Sequence, residues 1–85
     1  MLGAVLLGIV LLLLLGRKTV RFETFGGTAI GSRKAKRGEK LTRPPVPEKA
    51  GCGFGGWYQD TACTRPWDFD TDKVKKDMTL YAKWL

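Results

Sequence analysis

The sequence predicts a small, mostly β domain of about four short strands, preceded by an apolar helix. Two segments, 18–25 and 78–85, alternate apolar and polar residues, which is the pattern of a half-buried strand. The connections are rich in Gly and Pro, and no segment after residue 16 has the spacing of an amphipathic helix. The 85 residues suffice for one small domain, which argues against a large enzyme with an enclosed active site.

The apolar segment, residues 2–15, contains no charged residue. As a helix it would be about 21 Å long, shorter than the ~30 Å hydrocarbon core of a bilayer. We therefore interpret residues 1–16 as an export signal or signal-anchor that brings residues 2–15 to the membrane; a hydrophobic tail of a larger protein is the alternative. Arg17 and Lys18 follow directly, and for an anchor the positive-inside rule would place the domain in the cytoplasm. Cleavage and orientation of this segment both stay open.

Four strands are predicted after the apolar segment, at 18–25, 33–41, 52–60 and 78–85. The first strand places Val20, Phe22 and Thr24 on one face, and the last places Leu80, Ala82 and Trp84 on one face. Between the second and third strands, residues 43–51 carry three prolines and are predicted to be an extended crossover, since Pro is excluded from central strands. Residues 61–77 are predicted to be a loop with at most one helical turn.

The formal charge of +7 is unevenly distributed. Residues 17–49 contain ten basic and three acidic residues, whereas residues 50–85 are neutral overall. A basic excess can attract phosphate polymers, anionic lipid or acidic polysaccharide; the alternative is a solvated strand surface that resists aggregation. The candidate anion-binding residues are Arg33, Lys34, Lys36, Arg37 and Lys40.

The aromatic residues suggest either a stacking platform for sugars or nucleic acid, or a hydrophobic core. In so small a domain the core interpretation is favoured for Phe54, Trp57, Phe69 and Trp84. Tyr58 and Tyr81 fall at the opposite strand positions, so these two are the candidate exposed aromatic contacts.

The segment GCGFGGWYQD, residues 51–60, matches the dinucleotide-binding pattern G-x-G-x-x-G. That pattern needs a preceding strand and a following helix, whereas here a proline-rich crossover precedes it and a strand-like segment follows. DFDTD, residues 68–72, resembles the start of a calcium loop, but Lys73 and Thr79 occupy positions that require Gly and Glu. Neither a nucleotide nor a calcium ion is predicted as a ligand.

The chain contains no His and no Asn, which excludes Ser-His-Asp and Cys-His catalytic arrangements and N-glycosylation. Cys52 and Cys63 are too few ligands for a structural zinc site. Cys52 alternates with Phe54, so we expect free, packed thiols, with a disulfide as the alternative. The sequence thus predicts no catalytic residue, no cofactor and no metal site.

Three segments, VRFETFGGTAI (20–30), RGEKLTRPPVPEKAGCGFGGWYQD (37–60) and DMTLYAKW (77–84), together resemble the Listeria–Bacteroides repeat, also called the internalin B B-repeat. The resemblance implies a small β-grasp (ubiquitin-like) module of bacterial surface and secreted proteins, spanning residues 17–85. Such modules usually occur in tandem as stalk or interaction units and have no associated catalytic residues. The chain departs from the family pattern at Phe25, Ala35 and Cys52, where Asn, a β-branched residue and an aromatic residue are usual.

The predicted function is that of a non-enzymatic cell-surface or secreted repeat module, serving as a spacer, adhesion or protein-interaction unit. The alternative is a module that binds anionic polymers (teichoic acid, glycosaminoglycan, lipid or nucleic acid) through residues 17–49. The expected partners are a protein or an anionic cell-surface polymer, with adjacent repeats in a longer parent; a nucleotide is excluded and nucleic acid is not favoured. The expected location is the extracellular side of the envelope or the medium, with membrane anchoring if residues 1–16 are retained.

Overall fold

A computed structural model describes residues 16–85 and contains four strands. They are β1 (Arg17–Glu23), β2 (Arg33–Lys36), β3 (Phe54–Tyr58) and β4 (Met78–Trp84). Residues 16–85 contain no helix, and therefore none that could cross a membrane. The predicted apolar helix 2–15, and with it all but Gly16 of the predicted signal or signal-anchor 1–16, lies outside the described part of the chain. The mostly β domain with four strands is confirmed.

The four strands form one sheet in the order β2-β1-β4-β3. The central strands β1 and β4 are parallel, with Phe22 beside Leu80, whereas both outer pairs are antiparallel. β2 and β3 therefore lie on opposite edges, and the chain between them must cross a face of the sheet. Residues 37–53, which include the proline-rich crossover, make this connection, and the buried Leu41, Pro44 and Pro47 show that this segment covers the core.

The hydrophobic core lies between one face of the sheet and the loops that cross it. Its buried members are Val20, Ala35, Leu41, Trp57, Trp67, Phe69, Val74, Leu80 and Ala82. Phe54 and Trp84 pack against this cluster with partial exposure and meet edge to face, with ring centroids 5.7 Å apart. The predicted inward positions of these two residues, and of Trp57 and Phe69, are therefore confirmed.

Two strands are shorter than the sequence predicts. β2 ends at Lys36 instead of residue 41, because the chain turns at Gly38, whose φ is +87°. β3 spans 54–58 instead of 52–60 and contains a bulge at Gly56, whose φ of +105° favours glycine. Because of this bulge, Phe54 and Trp57 point to the same face although they are three residues apart.

The loop after β3 contains the single helical turn that the sequence allows. The N–H of Asp72 donates to the carbonyl oxygen of Asp68 at 2.8 Å, and the turn does not continue into a helix. Trp67 and Phe69 precede and begin this turn and are buried in the core. The loop thereby covers the sheet beside the crossover.

The turn after β1 is tied to the end of β4. Thr24 is buried, its hydroxyl donates to the carbonyl oxygen of Gly27 (3.0 Å), and its own carbonyl oxygen accepts the indole N–H of Trp84 (2.8 Å). Gly27 lies directly against the Trp84 ring. These contacts connect the two central strands beyond their ladder of hydrogen bonds.

Candidate binding surface

The face of the sheet opposite the core, called here the open face, carries the side chains that alternate with the core residues. They are Arg17, Thr19, Arg21 and Glu23 of β1, Lys34 and Lys36 of β2, Tyr58 of β3, and Thr79, Tyr81 and Lys83 of β4. All of them are exposed or half-buried. The two faces of the sheet therefore differ: one is buried in the core, and the open face is polar and partly aromatic.

The candidate anion-binding residues do not form one patch. Lys34 and Lys36 lie on the open face, where the Lys34 ammonium donates to the hydroxyl of Thr19. Arg33 shares the orientation of the buried Ala35 and points to the other side of the sheet. Arg37 and Lys40 flank the turn at Gly38, and Lys40 pairs in a bridge with Lys73. The strand alternation and the turn thus separate residues that are close in sequence.

The two candidate aromatic residues do lie together. Tyr58 and Tyr81 are directly opposite each other on β3 and β4, and both are half-buried. The Phe25 ring stacks on Tyr81, with centroids 6.0 Å apart and planes inclined by 21°. The Lys83 ammonium lies 5.6 Å from the centroid of Tyr58. We call Phe25, Tyr81 and Tyr58 the aromatic row.

Phe25 reaches the aromatic row through an unusual backbone conformation. Its φ is +50°, which a bulky L-residue rarely adopts, and its side chain is 45% exposed. The backbone is held on both sides: its N–H donates to a carboxylate oxygen of Glu23 (3.3 Å), and its carbonyl oxygen accepts the Lys49 ammonium (2.9 Å). The family resemblance expects Asn here, which tolerates this region better.

Substitution of Phe25 separates backbone strain from ring stacking. Phe25→Val and Phe25→Asn both remove the contact with Tyr81, but a β-branched residue tolerates positive φ poorly. We expect Phe25→Val to be less stable than Phe25→Asn by about 1–2 kcal/mol, measured by urea unfolding. Equal stabilities would show that residue 25 does not keep its positive φ.

A concave site opens where β4 begins and β3 ends. It is a cleft of about 500 Å³, called here the basic cleft, and its lining includes Arg65, Lys73, Lys75, Lys76, Asp77 and Tyr81. A smaller hollow of about 290 Å³ adjoins it and adds Arg21. The two share Asp77, Met78 and Thr79. This site is not apparent in the sequence, because its basic residues lie in the single irregular loop between β3 and β4, in a half of the chain whose charges sum to zero.

Acidic residues order the loops beside the basic cleft. The Asp60 carboxylate accepts the N–H groups of Thr64 and Arg65, each at 3.0 Å, and the hydrogen bond from the Thr64 hydroxyl lowers its pKa most. The pKa of Asp68 is also lowered, chiefly by the N–H of Asp70. Among residues 16–85 no three metal-binding side chains converge. The hydrogen bonds that the Asp60 and Asp68 carboxylates accept from backbone N–H groups show that both carboxylates order the loop.

Cys52 and Cys63 are both free and half-buried. Cys52 precedes β3 and does not belong to the hydrophobic core cluster, so the inward, core-like position predicted from its alternation with Phe54 is not observed. The thiol of Cys63 donates to the carbonyl oxygen of Thr61 at 3.9 Å. Neither thiol lines the basic cleft.

Comparison with known proteins identifies relatives along most of the described chain. The family model described as the Listeria-Bacteroides repeat domain matches residues 19–83. Two proteins of Evansella cellulosilytica, whose names describe a Gly-rich membrane protein and a membrane protein, are 53% and 50% identical over 66 residues, or 78% of this chain. Internalin H of Listeria monocytogenes is 43% identical over 47 residues, or 54% of this chain. The matches span 8%, 10% and 9% of those relatives.

Proposed function

Because the chain belongs to the Listeria-Bacteroides repeat domain family, we propose that it is a non-enzymatic module of the bacterial cell envelope that serves as a spacer and interaction unit. The names of its relatives, two membrane proteins and an internalin, support the envelope location. Each match spans a tenth of the relative or less, which supports a module within larger proteins. The lack of His supports a non-enzymatic role, since it removes the commonest general base.

The observation that carries the spacer role is the parallel pairing of β1 with β4. The chain enters the sheet at Arg17 and leaves it at Trp84, at opposite ends of the central pair. Val20 lies beside Met78 in the parallel pair; Arg17 is three residues before this level and Trp84 is six residues after it. The two ends are therefore nine residues apart along the strands, or about 30 Å. Consecutive copies would therefore follow one another lengthwise. The strand order with its central parallel pair also supports the β-grasp assignment that the family resemblance implies.

The spacer role is tested with one copy and three tandem copies of residues 17–85, compared by small-angle X-ray scattering. We expect the maximum dimension to grow by at least about 30 Å for each added copy, because each sheet carries the chain forward by that distance. The thermal unfolding midpoint of the single copy serves as the control that every copy is folded. A three-copy protein with nearly the dimension of one copy would contradict the role.

The envelope location is tested by protease treatment of intact cells that produce the full protein, followed by detection with an antibody to residues 17–85. We propose that the module is exposed, so it should be degraded on intact cells. A cytoplasmic marker protein of similar size, which must survive until lysis, is the control. A module that survives with this marker would contradict an outer location.

A second candidate function, the binding of an anionic polymer, is favoured by the charge of the basic cleft. Arg65, Lys73, Lys75 and Lys76 line it together with the single carboxylate of Asp77. That carboxylate accepts the N–H of Thr19 at 2.8 Å, which holds it at the edge of β1. Most of the cations of this surface thus come from residues 65–76, and Arg21 is the one that the basic segment 17–49 contributes through the adjoining hollow.

A further inference from the structure

We propose that the basic cleft and the aromatic row together bind an acidic polysaccharide, a chain of sugar rings that carry carboxylate or sulfate groups. This deepens the second candidate function and is independent of the spacer role. Three observations carry it: the charge of the cleft, the aromatic surface at its edge, and the strained backbone that places Phe25 there.

The charge of the concave surface is strongly unbalanced. The basic cleft and the hollow that adds Arg21 have five cationic side chains and one carboxylate among their lining residues, and a second adjoining hollow adds one further charge, the carboxylate of Asp72. Lys73, Lys75 and Lys76 are exposed and lie within four consecutive positions, so their ammonium groups can follow successive charges of a polymer. Of the described ion pairs, the single salt bridge joins Arg43 to Asp70, so none of the five cations is neutralised in this way.

The aromatic row continues the cleft across the open face. Tyr81 lines the cleft, Phe25 stacks on it from one side, and Tyr58 lies opposite it on β3. A sugar ring has an apolar face of C–H groups, which gains dispersion energy against an aromatic ring. Aromatic rings and cationic groups thus lie side by side, which suits an acidic sugar because it has both an apolar ring face and negative charges.

Trp67 forms part of the wall of the cleft, and its indole N–H is buried behind that wall. It is 8% exposed and lines the cleft, and its indole N–H has no hydrogen-bond partner among the described residues. A buried donor without an acceptor is unfavourable by about 1–3 kcal/mol.

The conformation of Phe25 points in the same direction. A bulky residue at φ +50° is unfavourable by about 1–2 kcal/mol relative to the β region, and it exposes 45% of an apolar side chain. Strained residues of this kind concentrate at ligand-binding sites. In return, Phe at position 25 places a second aromatic ring beside Tyr81.

A sugar polymer is favoured over nucleic acid and over polyphosphate. Polyphosphate has no ring that could use the aromatic row. Nucleic acid would use both features, but the relatives of this chain are named as membrane proteins and an internalin, which supports a partner at the cell envelope. Both polymers serve below as outcomes that would overturn the proposal.

The test is a fluorescence titration of the full chain, kept in a neutral detergent because residues 2–15 are apolar. The probes are an oligogalacturonate, its fully methyl-esterified form, inorganic polyphosphate and a single-stranded oligodeoxynucleotide. We expect the oligogalacturonate to bind most tightly, with affinity that falls steeply with salt. The esterified form, which keeps the rings and loses the charges, should bind at least about tenfold more weakly. Equal or tighter binding of polyphosphate or the oligonucleotide would overturn the proposal.

Two triple variants that remove equal charge locate the site. The cleft variant carries Lys73→Gln, Lys75→Gln and Lys76→Gln, and the matched variant carries Lys34→Gln, Lys36→Gln and Arg37→Gln; all six residues are exposed. We expect the cleft variant to lose at least about tenfold in affinity, and the matched variant at most about threefold. Equal losses, or a larger loss in the matched variant, would place binding elsewhere. Scattering from the tandem copies should be unchanged by the cleft substitutions, so failure of binding leaves the spacer role intact.

The contribution of the rings is measured with Tyr81→Leu, which keeps apolar volume and removes the aromatic face. Oligogalacturonate affinity should fall about three- to tenfold, whereas the weak binding of polyphosphate should not change. An unchanged oligogalacturonate affinity would show that the site recognises charge alone and would overturn the assignment to a sugar polymer.

Discussion

Gly27→Ala should lower the free energy of unfolding by about 2–3 kcal/mol, because there is no room for a β-carbon at this position. An ideal Cβ would lie 2.5 Å from Cζ2 and 3.0 Å from Cη2 of Trp84, and 3.2 Å from the carbonyl oxygen of Glu48. The Trp84 ring cannot easily move away, since its indole N–H donates to the carbonyl oxygen of Thr24 and the ring packs edge to face against Phe54. The measurement is urea unfolding followed by Trp fluorescence.

Gly31→Ala is the matched control for this substitution. An added Cβ at Gly31 meets nothing within 4 Å, and its φ lies outside the positive region that favours glycine. Its stability should therefore stay within about 0.5 kcal/mol of the parent. If Gly27→Ala behaved like Gly31→Ala, the close contact between the turn and Trp84 would be refuted.

Leu80→Ala should destabilise the domain by about 3 kcal/mol or more, because Leu80 is completely buried at the centre of the core. It lies on β4 beside Phe22 of β1, and neighbouring side chains in a four-stranded sheet can close only part of the cavity. For a domain of this size such a loss removes much of the total stability. The midpoint of thermal unfolding, measured by circular dichroism, should fall by more than about 10 °C.

Val46→Ala provides the comparison for Leu80→Ala. Val46 is 68% exposed in the crossover, so its truncation removes methyl groups without leaving a cavity. The change in unfolding free energy should be within about 0.5 kcal/mol. A similar loss in both variants would mean that the core does not lie where the sheet and the crossover meet.

Alternation along the strands was the part of the fold that the sequence predicted well. Val20 and Leu80 are fully buried at the positions that alternation assigned to the core, and Ala82 is 2% exposed. This succeeds because the period of two is a property of the strand itself. The register between β1 and β4 is different in kind, since it depends on contacts about sixty residues apart that leave no local pattern.

Loop residues were harder to assign. Trp67 and Val74 are buried core residues, yet both lie in an irregular segment without periodicity. The basic cleft is not apparent in the sequence for a related reason. Only the folded loop brings Arg65 close to the lysines at positions 73, 75 and 76, and the aspartates nearby in sequence make the net charge of this segment close to zero. Conversely, residues 33–37 are contiguous in sequence and basic, but strand alternation places Lys34 and Lys36 on one face of the sheet and Arg33 on the other.

The parallel pairing of β1 and β4 has a mechanical consequence. A tensile force applied between Arg17 and Trp84 would act along the two strands, perpendicular to the hydrogen bonds that join them. Such loading shears the ladder, so its evenly spaced bonds share the force instead of breaking one after another from an end. The antiparallel neighbours β2 and β3 flank this pair on both sides. A sheet with this order is therefore expected to resist extension most strongly in the direction in which consecutive copies would be pulled.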